Sequence, residues 1–191
     1  MTLGYPDAVS LARTDVLPEL RVRTTSAAGT RAFGAWLAEV ACPGDRIALT
    51  GSLGAGKTQL AKGFAVGLGV REIVNSPSFT LMAEYEGRLP MFHQDLYRLD
   101  GAEDALAGGL QDERQDLGVT LAEWADRLGD AVDPDRLELH VLSATSDATG
   151  PASAVDTPDE VPDEPREIVL TAGEGYERYL ARARAWPGEG P

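Results

Sequence analysis

Cysteine is almost missing from this chain. Cys42 stands alone among 191 residues, so no internal disulfide and no cysteine-rich metal centre can form. Basic residues are scarce as well: 17 Lys and Arg face 31 Asp and Glu, a formal net charge of -14. Gripping a phosphate backbone takes many Lys and Arg, so this balance argues against a large nucleic-acid surface, and DNA is not an expected partner. Any route to RNA is expected to be indirect, through a basic partner. No apolar run is long enough to span a bilayer, and the opening Met1–Asp7 stretch lacks the basic and apolar regions of a signal peptide. A cytoplasmic protein without membrane contact is the expectation. With 43% hydrophobic and 25% charged residues, the chain has an ordinary globular composition, enough for one domain and a single core.

The most informative stretch is Gly51-Ser52-Leu53-Gly54-Ala55-Gly56-Lys57-Thr58, which fits the phosphate-loop pattern G-x-x-x-x-G-K-[ST] without a mismatch. Its flanks are right. Arg46 to Thr50 is a short strand candidate with an apolar middle, and Leu60, Phe64 and Leu68 recur at helical spacing after the loop. Gly69 then supplies a C-terminal stop. Glycines at 51, 54 and 56 let backbone N–H groups turn inward where side chains would block a phosphate. The new helix adds the positive end of its dipole. Lys57 offers a mobile cation to the β- and γ-phosphates, and the Thr58 hydroxyl is placed for Mg²⁺.

The rest of the chain reads as alternating elements. Residues 1–18 show no sustained period and read as a flexible N-terminal extension. Leu20 to Thr25 suggests a first strand, and Ser26 caps a helix whose apolar face carries Phe33, Trp36, Leu37 and Val40. Cys42-Pro43-Gly44-Asp45 is a turn signal. Glu72 to Asn75 is a short strand candidate ended by Ser76-Pro77. Ser78 to Tyr85 alternates, with Phe79, Leu81, Ala83 and Tyr85 on one face, and a turn at Glu86-Gly87-Arg88 leads into Leu89 to Tyr97 as a hairpin. Short helices fit 102–117, Val119 to Glu123 reads as a buried strand, and Leu137 to Leu142 matches Glu167 to Leu170 in pattern. A last helix is expected from about Gly175 to Ala185. The segment at about 143–165 is rich in Ser, Thr, Ala, Pro and acids and has no Lys or Arg before Arg166. It reads as a disordered acidic insertion, either a tolerated surface loop or an interaction tail.

A phosphate loop needs acids to hold Mg²⁺ or to orient the attacking water. Asp95 and Glu123 are the candidates, because open α/β sheets place ligand-facing groups at the carboxyl ends of strands. Ser76-Pro77-Ser78 is either a switch segment sensing the γ-phosphate or a turn. Arg98 is either a phosphate ligand or the partner of an acid. His93 fits a core or hydrogen-bonded strand position better than a catalyst, and Trp36 and Trp124 fit the core.

Taken in order, Gly51 to Thr58, Ser76-Pro-Ser-Phe-Thr80, His93-Gln-Asp-Leu-Tyr-Arg98 and Glu123-Trp124 resemble the TsaE family, also called YjeE. These are P-loop ATPases of bacterial tRNA threonylcarbamoyladenosine synthesis. The resemblance covers roughly Thr24 to Leu142 and then the last strand and helix. It implies an α/β P-loop NTPase fold, three-layered, whose mixed sheet carries an antiparallel portion, formed by residues 19–191 as one domain. It further implies ATP and ADP as ligands with Mg²⁺, and a TsaD–TsaB complex as partner, with tRNA reached only through that complex. Nucleotide contacts would come from Ser52, Leu53, Gly54, Ala55, Gly56, Lys57, Thr58 and Gln59, with Trp124 nearby and the Thr25 to Thr30 stretch, Thr30 included, bordering the adenine. Thr58 and Glu123 would ligate Mg²⁺. Asp95 would join them at the metal or its water shell and act with Lys57 in hydrolysis. Ser76 to Thr80 would be a switch-like loop. Two departures stand out: Ser78 replaces a usual Thr, and Gln94 replaces a usual apolar residue.

Rival readings remain open on the sequence. A small-molecule kinase also joins a phosphate loop to an acid at a strand end, but no arginine-rich lid segment follows. A GTPase is disfavoured because the guanine-reading N-K-x-D pattern is missing. A non-hydrolysing, nucleotide-dependent assembly factor is the non-enzymatic rival.

Overall fold

The computed structural model describes residues 18–99, 110, 113–131, 135–143 and 164–189. Nearly all of the N-terminal extension, the helical turns expected over 102–109 and the body of the acidic insertion, 144–163, lie outside the described residues.

The elements run β1 (Glu19–Thr24), α1 (Ala27–Ala38), β2 (Asp45–Thr50), α2 (Lys57–Gly67), β3 (Met82–Tyr85), β4 (Met91–Asp95), β5 (Val119–Glu123), β6 (Leu137–Ser143), β7 (Arg166–Ala172) and α3 (Glu177–Arg184). Two 3-10 turns, Glu113–Leu117 and Ala125–Ala131, flank β5. The strands form one sheet in the order β1-β7-β6-β2-β5-β4-β3. Its centre is parallel: β2 pairs with β5 and β6, and β5 with β4. Its margins are antiparallel: β1 with β7, β7 with β6, and β3 with β4. The expected mixed sheet is therefore present, with the antiparallel portion at both sides.

Strand alternation sends Ile47 and Leu49 of β2, Leu121 of β5, Leu139 and Val141 of β6 and Leu170 of β7 to one face. Phe33 and Leu37 of α1, Leu60 and Phe64 of α2 and Tyr179 of α3 cover that face as one apolar cluster. Each of these side chains is almost fully buried, which stabilises the fold by about 1.5–3 kcal/mol per large apolar residue. The opposite face holds a smaller cluster, Leu96, Leu99 and Leu110, packed with Ala122, Trp124 and Leu128. It forms a thinner third layer. Ser26 caps α1 as expected, its hydroxyl accepting from the Gly29 N–H at 2.9 Å. Helices α1 and α2 cross so closely that a Cβ on Gly63 would lie 1.9 Å from the Arg31 carbonyl oxygen.

Two expectations need correction. Glu72 to Asn75 is not a strand. Val70 and Val74 pack into the main core while Ile73 is 85% exposed, so the segment trades ladder pairing for packing. The alternation read from Ser78 begins only at Met82. Residues 78–80 turn, with the Thr80 and Leu81 N–H groups both reaching the Pro77 carbonyl, and Leu81 adopts φ 63°. Phe79 is consequently exposed instead of sharing a face with Ala83 and Tyr85. Gln94 is buried yet satisfied, its Nε2 donating to the Leu110 carbonyl at 2.8 Å. Among the described residues no helix is long and apolar enough to cross a membrane.

Candidate nucleotide site

The carboxyl ends of the central parallel strands converge on one place. Strand β2 runs into Gly51, and β4 and β5 end side by side with Asp95 opposite Glu123 in the ladder. Gly51 adopts φ 128°, and a Cβ there would meet the Val141 carbonyl oxygen at 2.2 Å, so only glycine turns the chain here. The loop closes at Gly56, and α2 begins with Lys57. That helix start leaves N–H groups and a positive dipole end at the loop.

Lys57 is folded over the loop. Its Nζ donates to the carbonyls of Gly51 and Ser52, both at 2.8 Å, and lies 3.6 Å from the centroid of the Trp124 ring. Burial lowers the pKa of this ammonium, and Glu123, Asp126 and Asp95 oppose the shift. Trp124 follows β5 directly and adopts φ 61°, an unusual backbone for a bulky residue that costs on the order of 1–2 kcal/mol. Its N–H bonds to the Leu49 carbonyl at 2.9 Å, and its ring packs on Tyr97 at 4.9 Å. That backbone turn brings the indole over the lysine.

Thr58 and Glu123 meet directly. The Thr58 hydroxyl lies 2.9 and 3.0 Å from the two carboxylate oxygens. Glu123 Oε1 also accepts from His93 Nε2 at 2.9 Å. Asp95 is held from another side: its Oδ2 accepts from the hydroxyls of Ser76 and, at 2.6 Å, Ser78, while its Oδ1 accepts from the Tyr97 N–H at 3.0 Å. The Ser76 to Thr80 segment is thus tied to Asp95. Arg98 rests on the exposed Phe79 ring, 4.3 Å from its centroid.

Thr58, Glu123 and Asp95 offer hard oxygen donors of the type that Mg²⁺ takes. No group of three or more His, Cys, Asp or Glu side chains gathers around one point among the described residues. Such a donor set does not make an all-protein cage. It fits an ion that keeps waters and shares phosphate oxygens, which is the usual habit of Mg²⁺.

Gln59 is buried and accepts from Arg31 Nη1 at 2.5 Å, which links α1 to the start of α2. Thr30 is fully buried, its hydroxyl donating to the Ser26 carbonyl at 2.9 Å and lying 2.9 Å from the Thr24 hydroxyl. The accessible donors of that stretch are Thr25 and Ser26, whose N–H and hydroxyls meet the Glu189 carboxylate. Arg166, at the start of β7, is a residue the motifs did not single out. Buried to 3% exposure, it donates from Nε to the Ala55 carbonyl at 3.0 Å and so braces the phosphate loop. Its one sequence signal is its place as the first basic residue after the acidic stretch.

A strand, a glycine-rich loop closing on a lysine and a helix, set at the carboxyl edge of a parallel sheet, define a P-loop protein of the nucleotide-binding α/β class. A family model described as "Threonylcarbamoyl adenosine biosynthesis protein TsaE" matches residues 24–149. The chain belongs to the TsaE family. It is 41% identical over 132 residues to the tRNA threonylcarbamoyladenosine biosynthesis protein TsaE of Bacillus subtilis, covering 69% of this chain and 82% of that one. The Treponema pallidum protein of the same description is 40% identical over 109 residues, 57% of this chain and 81% of its own. The crystal structure of Bacillus subtilis YdiB superposes with a TM-score of 0.65 at 34% identity, covering 88% of this chain and 96% of that one.

Proposed function

We propose that this protein binds and hydrolyses ATP with Mg²⁺ and serves tRNA threonylcarbamoyladenosine synthesis by acting on a TsaD–TsaB complex. The observation that carries the reading is the convergence of Lys57, Thr58, Asp95 and Glu123 at the mouth of the phosphate loop, in a chain of the TsaE family.

The geometry supports the following roles. Backbone N–H groups from Gly54 to Thr58 cradle the phosphates. Lys57 exchanges the Gly51 and Ser52 carbonyls for β- and γ-phosphate oxygens. Thr58 and Glu123 would hold Mg²⁺, which would supply charge neutralisation to the phosphates. Asp95 orients the water that attacks the γ-phosphorus as the bond to the bridging oxygen breaks, leaving ADP and phosphate. Asp95 is held by Ser76 and Ser78, and Lys57 by its own loop. Both groups must be released before reaction, which supports slow turnover alone and activation on docking.

Two variants test this. Lys57→Ala is expected to weaken ADP binding at least ~10-fold by calorimetry, because a direct phosphate cation is lost. Asp95→Ala is expected to bind ADP as the wild type does while phosphate release falls. Equal turnover of Asp95→Ala and wild type would remove Asp95 from its role.

A further inference from the structure

His93 lies on β4 two residues before Asp95 and on the same face, one step deeper in the sheet than the Asp95–Glu123 pair. It is fully buried. Its Nε2 is 2.9 Å from Glu123 Oε1, and its Nδ1 is buried with no hydrogen-bond partner among the described residues. A carboxylate can only accept, so the ring must donate from Nε2. The alternative tautomer would turn a lone pair toward Glu123 and bury an unpaired N–H at Nδ1. The environment therefore sets one tautomer, and its one donor is aimed at Glu123.

That donor divides the carboxylate. Glu123 is 2% exposed and, among the described residues, has two side-chain donors, His93 and Thr58. His93 reaches only Oε1, from the interior of the sheet, whereas Thr58 spans both oxygens from the phosphate loop. With Oε1 pinned from behind, Oε2 is the oxygen that meets only the Thr58 hydroxyl among the described side chains.

We propose that His93 is a positioning residue for the metal site: its Nε2–H fixes the Glu123 carboxylate so that Oε2 is presented to a divalent cation beside Thr58. The inference rests on the reading that Glu123 takes Mg²⁺, and goes beyond it by assigning an essential donor in the layer behind. Outer-layer hydrogen bonds of this kind orient ligands, and their loss typically weakens metal affinity by about 10–100-fold.

The test uses Mn²⁺ as a paramagnetic probe, titrated into the full-length protein saturated with ADP and followed by electron paramagnetic resonance. His93→Gln keeps an N–H donor near the Nε2 position, and His93→Leu fills the space without one. His93→Leu is expected to weaken Mn²⁺ binding at least ~10-fold, with His93→Gln recovering most of it and metal-free ADP affinity unchanged in both. Mn²⁺ affinity in His93→Leu equal to wild type would overturn the proposal. Equal weakness in His93→Leu and His93→Gln, or a matching fall in metal-free ADP affinity, would overturn it too, because packing would then be the cause. Should His93→Leu fail to fold, His93→Asn replaces it: its shorter amide occupies the Nδ1 position and cannot reach Glu123, so it must bind Mn²⁺ more weakly than His93→Gln. Wild-type protein that binds ADP but takes up no Mn²⁺ would instead contradict the Mg²⁺ reading itself, before any variant is compared.

Discussion

Lys57 combines burial with a charge that a phosphate needs. Burial lowers its pKa from the ordinary 10.5, and the neighbouring Glu123, Asp126 and Asp95 offset part of the shift. Because the folded state holds this proton less tightly, nucleotide-free stability is expected to rise with pH between the lowered value and 10.5. Phosphate binding has the opposite sign, since only the charged amine attracts it. Metal-free ADP affinity should therefore begin to fall before pH reaches 10.5, and a calorimetric profile that stays flat up to that pH would contradict this. Gly51 supplies a second prediction: Gly51→Ala combines a φ of 128° with a 2.2 Å overlap on the Val141 carbonyl. A loss of about 3 kcal/mol or more in urea denaturation is expected. Residues within the phosphate loop were legible because their spacing is itself the chemistry. Arg166 was not, since it reaches Ala55 from 111 residues away and no local pattern records that contact. The sequence did suggest a hydrogen-bonded role for His93 but could not name Glu123 as its partner.

At the level of elements, periodicity served wherever an element buries a continuous face. Strand β5 and the β6–β7 pair appear as expected, since Val119, Leu121, Leu139 and Ile168 point steadily into one core. Alternation misled between Glu72 and Leu81. Val74 is buried without a sheet neighbour, and the turn after Pro77 reverses the chain before the alternating residues can pair. The functional ties there, Ser76 and Ser78 to Asp95, depend on that turn. The α1–α2 contact yields a prediction that opposes helix propensity. Gly63→Ala should gain about 1 kcal/mol from propensity alone. A Cβ at 1.9 Å from the Arg31 carbonyl forces the helices apart, and overpacking costs about 1–3 kcal/mol. A lowered urea midpoint is expected; a raised one would show that α1 moves freely away from α2.

For the whole molecule, the mixed sheet gathers Gly51, Asp95 and Glu123 at one edge, and the helices on one face carry the loop and its cation. An excess of 31 acids over 17 bases leaves little for a nucleic-acid backbone, so the proposed role in tRNA modification would run through a partner. The sequence conveyed the fold and the residues that gather at the candidate site, because four motifs in order carry both. The ties within the site, from Asp95 to the serines and from Lys57 to its own loop, required the structure. Phosphate release from ATP and Mg²⁺, with and without purified TsaD–TsaB and with Lys57→Ala as control, tests the central claim most directly. The account predicts slow release alone and stimulation by the complex that the variant loses. Intact ATP binding with no stimulation would contradict it and favour a nucleotide-dependent assembly factor.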